Sequence, residues 1–167
     1  MTFRSVILMV LLLAVLAAGG WAFFAYQRDI SASRERLVGK SKVIETTSGP
    51  IEYAELGDGA VILVVHGAGG GFDQGLEILG PLEGKGFRVV AMSRFGYLRT
   101  PMPLDASPDG QAEAHASLMD ALGIKRAAIF GVSAGAPSAM QFAIKYPERC
   151  DALVLMAPIA YNPANAS

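Results

Sequence analysis

Between Arg126 and Tyr146 the chain passes from an apolar run, Ala127-Ala128-Ile129-Phe130, through Gly131-Val132-Ser133-Ala134-Gly135 into a segment carrying Met140, Phe142, Ala143 and Ile144, which Pro147 closes. The first part predicts a strand and the last a helix. A G-x-S-x-G at such a junction permits a sharp strand-to-helix turn that holds the serine hydroxyl outward, while Gly131 and Gly135 let the two backbones pass closely. Larger residues at either glycine are expected to clash. The same pentapeptide also fits a plain small-residue turn after a buried strand, in a chain with 19 glycines. The strand-turn-helix setting is what favours a nucleophile elbow.

A length of 167 residues favours one domain. With 52% hydrophobic and 17% charged residues, the composition fits a packed body plus a more apolar segment and excludes disorder. The formal net charge of -1 and the lack of a basic stripe with interleaved aromatics leave no electrostatic case for a nucleic-acid partner. Cys150 is the single cysteine, which excludes an internal disulfide and a zinc site built on cysteine pairs. It is expected to be a small residue just before a buried strand. No metal or cofactor is expected.

Val6 to Tyr26 contains no charged residue, and a helix of that length spans roughly 30 Å, the thickness of a bilayer's hydrocarbon core. Trp21 and Tyr26 suit an interfacial aromatic belt, and Arg4 and Arg28 bracket the span. A cleaved signal peptide competes, because Arg4, the Leu-rich middle and Ala17, Ala18 and Gly19 imitate its three regions. The apolar run continues to Phe23 and Phe24, which favours an uncleaved single-pass membrane anchor over 6–26. Arg28, Arg34, Arg36, Lys40 and Lys42 follow the span and would keep the body cytoplasmic, whereas an export-type start with a short basic tail argues the reverse. The side of the membrane stays open. Residues 27–41 read as a polar juxtamembrane linker of alternating charge, with helix as one conformation open to it.

The remainder, 42–167, reads as one α/β body. Lys42 to Thr47 and Ile51 to Leu56, separated by Ser48-Gly49-Pro50, predict a hairpin. Val61 to Val65 is a continuous β-branched run, as in a strand covered on both faces. The loop His66-Gly67-Ala68-Gly69-Gly70-Gly71 follows it. Nucleotide binding is the weaker reading, because a G-x-G-x-x-G counted from Gly67 puts Phe72 at its third glycine, and there is no Walker lysine. The loop can instead supply backbone N–H groups to a developing oxyanion. Phe72 to Glu83 predicts a helix crossing back to a strand Phe87 to Met92, which makes the sheet parallel. The loop Ser93 to Thr100 lies where such sheets bind ligands, and reads equally as an ordinary solvated turn. Ser107 and Pro108 start a second helix that Gly123 ends. His115 within it is expected to be a surface or packing residue, not a catalyst. Asp151 to Met156 predicts a further strand.

Val61 to Ala68, Phe87 to Thr100, Ala127 to Pro147 and Ala152 to Pro158 together resemble the α/β-hydrolase superfamily. The resemblance implies a mostly parallel sheet with flanking helices and a serine hydrolase acting on a small ester-like substrate. It implies Ser133 as nucleophile, the Ala68 and Ala134 amides as the oxyanion hole, and His66, with Gly67, Gly131 and Gly135, as supports. The family pattern D-x-x-G-x-G-x-S is altered here, with Ser93 for the acid and Leu98 for the second glycine. In that family the acid and histidine follow the serine. They lie there on loops after later strands, and only Tyr161 to Ser167 follow Ala160, so the chain is expected to be the first half to two-thirds of a hydrolase. A non-catalytic remnant or interaction protein is the alternative expectation.

Overall fold

The computed structural model describes residues 3–159; the tail 160–167, the last part of the expected α/β body, lies outside the described residues. Two compact units divide the chain, 1–38 and 39–167. The first holds one helix, α1 (Phe3–Leu37), with no buried residue. Its richest 18-residue window has a mean hydropathy of 2.6, long and apolar enough to cross a membrane. Helical structure runs on to Leu37, through most of the segment expected as a linker. Gln27 to Leu37 contains neither glycine nor proline to break it.

The second unit is a six-stranded sheet, β1 (Lys42–Thr46), β2 (Gly49–Leu56), β3 (Ala60–Val65), β4 (Phe87–Met92), β5 (Ala127–Val132) and β6 (Cys150–Met156), in the order β1-β2-β4-β3-β5-β6. β4, β3, β5 and β6 are parallel, and the β1-β2 hairpin joins β4 antiparallel. The parallel expectation therefore holds for the four strands linked by crossovers, and a short-turn hairpin is necessarily antiparallel. Three helices accompany the strands: α2 (Phe72–Leu79), α3 (Pro108–Ala121) and α4 (Ala136–Lys145). Side chains of β3 alternate between two buried faces. Leu63 and Val65 join Met92, Ile129, Leu118 and Phe142 in the main core, whereas Val64 and Ala91 lie so close under α2 that a Cβ at Gly75 would meet them at 2.7 and 3.0 Å.

α2 stops at Leu79, short of the expected Glu83, and a 3-10 turn covers Gly80–Leu82. Pro81 is the reason, since its ring and missing N–H do not fit a continuing α-helix. α3 begins as expected, with the Ser107 hydroxyl accepting from Gly110 N–H at 3.1 Å. Among the described residues β6 pairs only with β5, and Leu153, Val154 and Met156 are 38 to 45% exposed. Ala152 to Met156 is thus the apolar sheet edge expected of these 167 residues taken alone, and only the expectation that Cys150 precedes a buried strand fails.

The chain leaves β3 toward β4 on one side and later enters β5 on the other. The loops after β3 and β5 therefore flank a point where the strand order reverses, the place where open α/β sheets form their clefts.

Candidate active site

Ser133 sits between β5 and α4 with φ 45°, a left-handed conformation rarely taken by a residue with a side chain. The turn is held there by close packing. A Cβ at Gly131 would lie 2.7 Å from Ala139 Cβ, and one at Gly135 would lie 2.5 Å from the His66 carbonyl oxygen. These contacts explain both glycines and dock α4 against the end of β3. Gly67 completes the arrangement, since a Cβ there would stand 3.2 Å from Ser133 Cβ. The two loops that were predicted separately thus meet.

Their amides differ in availability. Gly67 N–H donates to Gln74 Oε1 at 2.7 Å, and no described residue accepts from the next amide, Ala68. Ala134 lies in the first turn of a 3-10 helix, Ser133–Gly135, where N–H groups have no partner within the helix. Ser133, Ala68 and Ala134 consequently present one hydroxyl and two free donors on neighbouring loops.

His66 is fully buried, and its bonding fixes its tautomer. Arg94 N–H can only donate, so Nε2, 2.8 Å away, is the acceptor, and Nδ1–H donates to Gly67 O at 2.7 Å. Burial pushes the His66 pKa down to about 4, so the neutral ring prevails near neutrality with both nitrogens occupied. The Tyr97 ring stands edge-on to it at 4.7 Å, and Tyr97 OH reaches Ala68 O at 3.4 Å. His115 is also fully buried, with Nε2 3.1 Å from Ser138 Oγ and Nδ1 2.9 Å from Met92 Sδ. Burial lowers its pKa to about 3. It is a packing residue, and among the described residues no side chain hydrogen-bonds to Ser133 Oγ.

The loop after β4 proves more ordered than a solvated turn. Glu52, 2% exposed on β2, accepts from Ser93 Oγ at 3.0 Å, Arg99 N at 3.0 Å, Arg99 Nε at 2.7 Å and Ser41 Oγ at 2.7 Å. Burial alone would raise its pKa, but the donors from Ser41, Arg99 and Ser93 together hold it below the usual carboxylate range. The carboxylate missing at Ser93 is therefore provided from the neighbouring strand, because the Tyr53–Met92 register sets Glu52 opposite Ser93. Leu98, in the place of a patterned glycine, adopts φ 49° and lies against Gly71, where a Cβ would stand 2.5 Å from its Cδ1. Glu52→Ala is expected to destabilise the chain by about 3 kcal/mol, near the low end for a broken buried ion pair because Arg99 is half exposed. Urea unfolding of both proteins checks this value, and a change under about 1 kcal/mol would contradict the latch.

A cavity of about 250 Å³ opens beside the turn, lined in part by Arg94, Tyr97, Gln111, Ala134 and Ser138. A larger hollow of about 390 Å³ lies among Asp120, Lys125 and Arg149, before β5 and β6 begin, and so at the amino ends of the strands, opposite the turn at Ser133.

Comparison with known proteins gives a family model described as alpha/beta hydrolase fold, matching residues 60–167. A 2-hydroxy-6-oxo-6-phenylhexa-2,4-dienoate hydrolase of Comamonas testosteroni is 37% identical over 113 residues, which are 65% of this chain and 40% of that protein. An alpha/beta hydrolase fold protein from Nakamurella multipartita superposes with a TM-score of 0.68 at 37% identity, over 72% of this chain and 42% of that one. A mutant N-acyl homoserine lactonase, AidH, complexed with N-hexanoyl homoserine superposes with a TM-score of 0.63 at 29% identity, over 71% and 44%. The chain thus spans about two fifths of the length of the relatives it matches.

Proposed function

The chain belongs to the α/β-hydrolase fold family, and on that premise we propose that it carries the nucleophile half of a membrane-anchored serine hydrolase acting on an ester, lactone or related acyl bond of a small molecule. Ser133 Oγ adds to the carbonyl carbon, and the Ala68 and Ala134 amides stabilise the oxygen as it becomes negative. The base and its orienting acid belong to later segments, following the family order of serine, acid and histidine. The observation that supports this best is the left-handed Ser133 between two glycines that admit no Cβ. Strain of this kind persists only where surrounding packing enforces it. The family membership and the hydrolases among the relatives point the same way.

Ala134→Pro tests the proposed hole, in a protein carrying this chain to the length of its relatives. Loss of one oxyanion donor removes roughly 3 to 4 kcal/mol of transition-state stabilisation, a fall in turnover of about 10²- to 10³-fold, plus any distortion of the turn. Unchanged turnover would count against the hole.

α1 is proposed as the single-pass anchor, with 6–26 in the bilayer. The motivating observation is its long apolar window, with a mean hydropathy of 2.6. The chain is expected to stay with membranes through an alkaline carbonate wash. Release of the uncleaved chain into the supernatant would contradict the anchor.

The bonded state of both histidines favours a second reading for the 167-residue chain taken alone, a binding or interaction module without turnover of its own.

A further inference from the structure

Among the described residues two buried side-chain nitrogens lack any hydrogen-bond partner, Arg94 Nε and Gln111 Nε2, and both residues line the cavity beside Ala134. Gln111 is 4% exposed, and its orientation is not arbitrary. Its Oε1 accepts from Phe95 N–H at 2.9 Å, which commits the oxygen and leaves the amide nitrogen as the free donor. Arg94 also stands without a counterion. Arg88, Arg99, Arg126 and Arg149 each meet a carboxylate within 2.7 Å, whereas Arg94 has only a long contact to His66 O, 3.4 Å, and the Tyr97 ring at 5.7 Å. Burial holds its guanidinium below the ordinary range, with Tyr97 opposing the shift in part.

The remaining polar groups at the cavity do not answer these donors. Ser107 Oγ accepts from Gly110 N–H, and Ser138 Oγ is shared by His115 and Gly135 O. Asp105 and Asp109 lie outside the lining, the first accepting from Ser107 N–H and the second from Lys145 and Gln141. Phe95, Met102 and Pro137 supply an apolar wall. A space bordered by two residues that each hold an unsatisfied buried donor, one of them cationic, with an apolar side and no carboxylate in its lining, matches a carboxylate on a short carbon stem. Buried polar groups in native proteins are normally satisfied, so such a pair marks a place for an absent partner. The guanidinium fork suits the two carboxylate oxygens. The cavity is also bordered by the first turn of α3, whose amide dipoles favour negative charge.

We propose that Arg94 and Gln111 form a carboxylate-binding subsite in this cavity, so that the substrate is an acyl compound carrying an anionic group a short distance from the carbonyl that Ser133 attacks. The assignment rests on the reading of Ser133 as nucleophile, because Ala134 borders both the cavity and the proposed hole.

The test is binding, which needs no turnover. Monomethyl glutarate, which is anionic, and dimethyl glutarate, which is neutral, are titrated into the 167-residue chain in detergent and followed by saturation-transfer NMR. The monoester is expected to bind about tenfold or more tighter, as a charge-assisted hydrogen bond supplies. Arg94→Gln is expected to erase that preference. Gln111→Glu keeps the acceptor for Phe95 N–H, so the loop stays tied, and is expected to turn the preference toward the diester. Equal binding of the two esters by the parent chain, or a monoester preference surviving both substitutions, would overturn the subsite. Ser133→Ala separates this inference from the catalytic reading: it is expected to leave the preference intact, and loss of the preference in Ser133→Ala alone would also overturn the assignment to Arg94 and Gln111. Serine chemistry found absent while the preference persists would overturn the nucleophile and leave the subsite standing.

Discussion

Ser133→Ala is expected to remove about a million-fold of turnover from a protein that carries this chain to the length of its relatives, the scale seen when the serine of a related triad is lost. The substitution deletes one hydroxyl and adds nothing. Position 133 keeps a Cβ, so the contact with Gly67 is unchanged and the left-handed turn keeps the packing that enforces it. No described side chain hydrogen-bonds to Ser133 Oγ, so no polar partner is orphaned. Stability should stay within about 0.5 kcal/mol of the parent, since none of the usual mechanisms of large destabilisation applies. Steady-state hydrolysis of a p-nitrophenyl ester, with a denaturation curve on the same samples, separates the two quantities. Most of the rate surviving in a folded Ser133→Ala protein would refute the nucleophile.

The 167-residue chain itself is expected to hydrolyse the same ester no faster than its own Ser133→Ala variant. A serine hydroxyl is a weak nucleophile unless a positioned base takes its proton, and the sequence offers two histidines. His66 cannot serve, because Nδ1 is donating to Gly67 O while Nε2 accepts from Arg94 N–H. Freeing Nε2 would strand a backbone N–H and loosen the loop that presents Ala68. His115 is sealed in the core between Met92 and Ser138, and its low pKa makes it a poor proton acceptor. Absence of the base corresponds to about a million-fold in turnover. A serine-dependent rate from this chain would require a base from a second molecule or a rearranged His66.

The elements around the turn were legible because each rests on short-range chemistry. The G-x-S-x-G with its strand run, the β-branched Val61 to Val65 and the Ser107 cap all act within a few residues, whereas the hairpin turns at Thr47 and Ser48, ahead of the expected Ser48-Gly49-Pro50, with Gly49 and Pro50 paired in β2. What escaped depends on distance along the chain. Glu52 and Ser93 are 41 residues apart and meet only through the β2–β4 register, so no local pattern could show that one replaces an acid at the other. The same holds for Gln111, whose tie to Phe95 leaves an unpartnered amide nitrogen on a residue that lines the cavity. Apolar periodicity carries α2 on to Glu83, but Pro81 ends it at Leu79. Leu98 shows a residue in a conformation its type disfavours, and its side chain explains why Gly71 must be glycine.

The central claim is that acyl transfer passes through Ser133, and the most direct measurement is where the acyl group lands. A protein carrying this chain to the length of its relatives is mixed with an activated ester, quenched in acid during the first turnover, digested and mapped by mass spectrometry. The expected result is a single acyl adduct on the peptide containing Gly131 to Gly135, localised to Ser133 and missing from Ser133→Ala. An adduct on another residue, or steady turnover with Ser133 unmodified at every quench time, would contradict the claim.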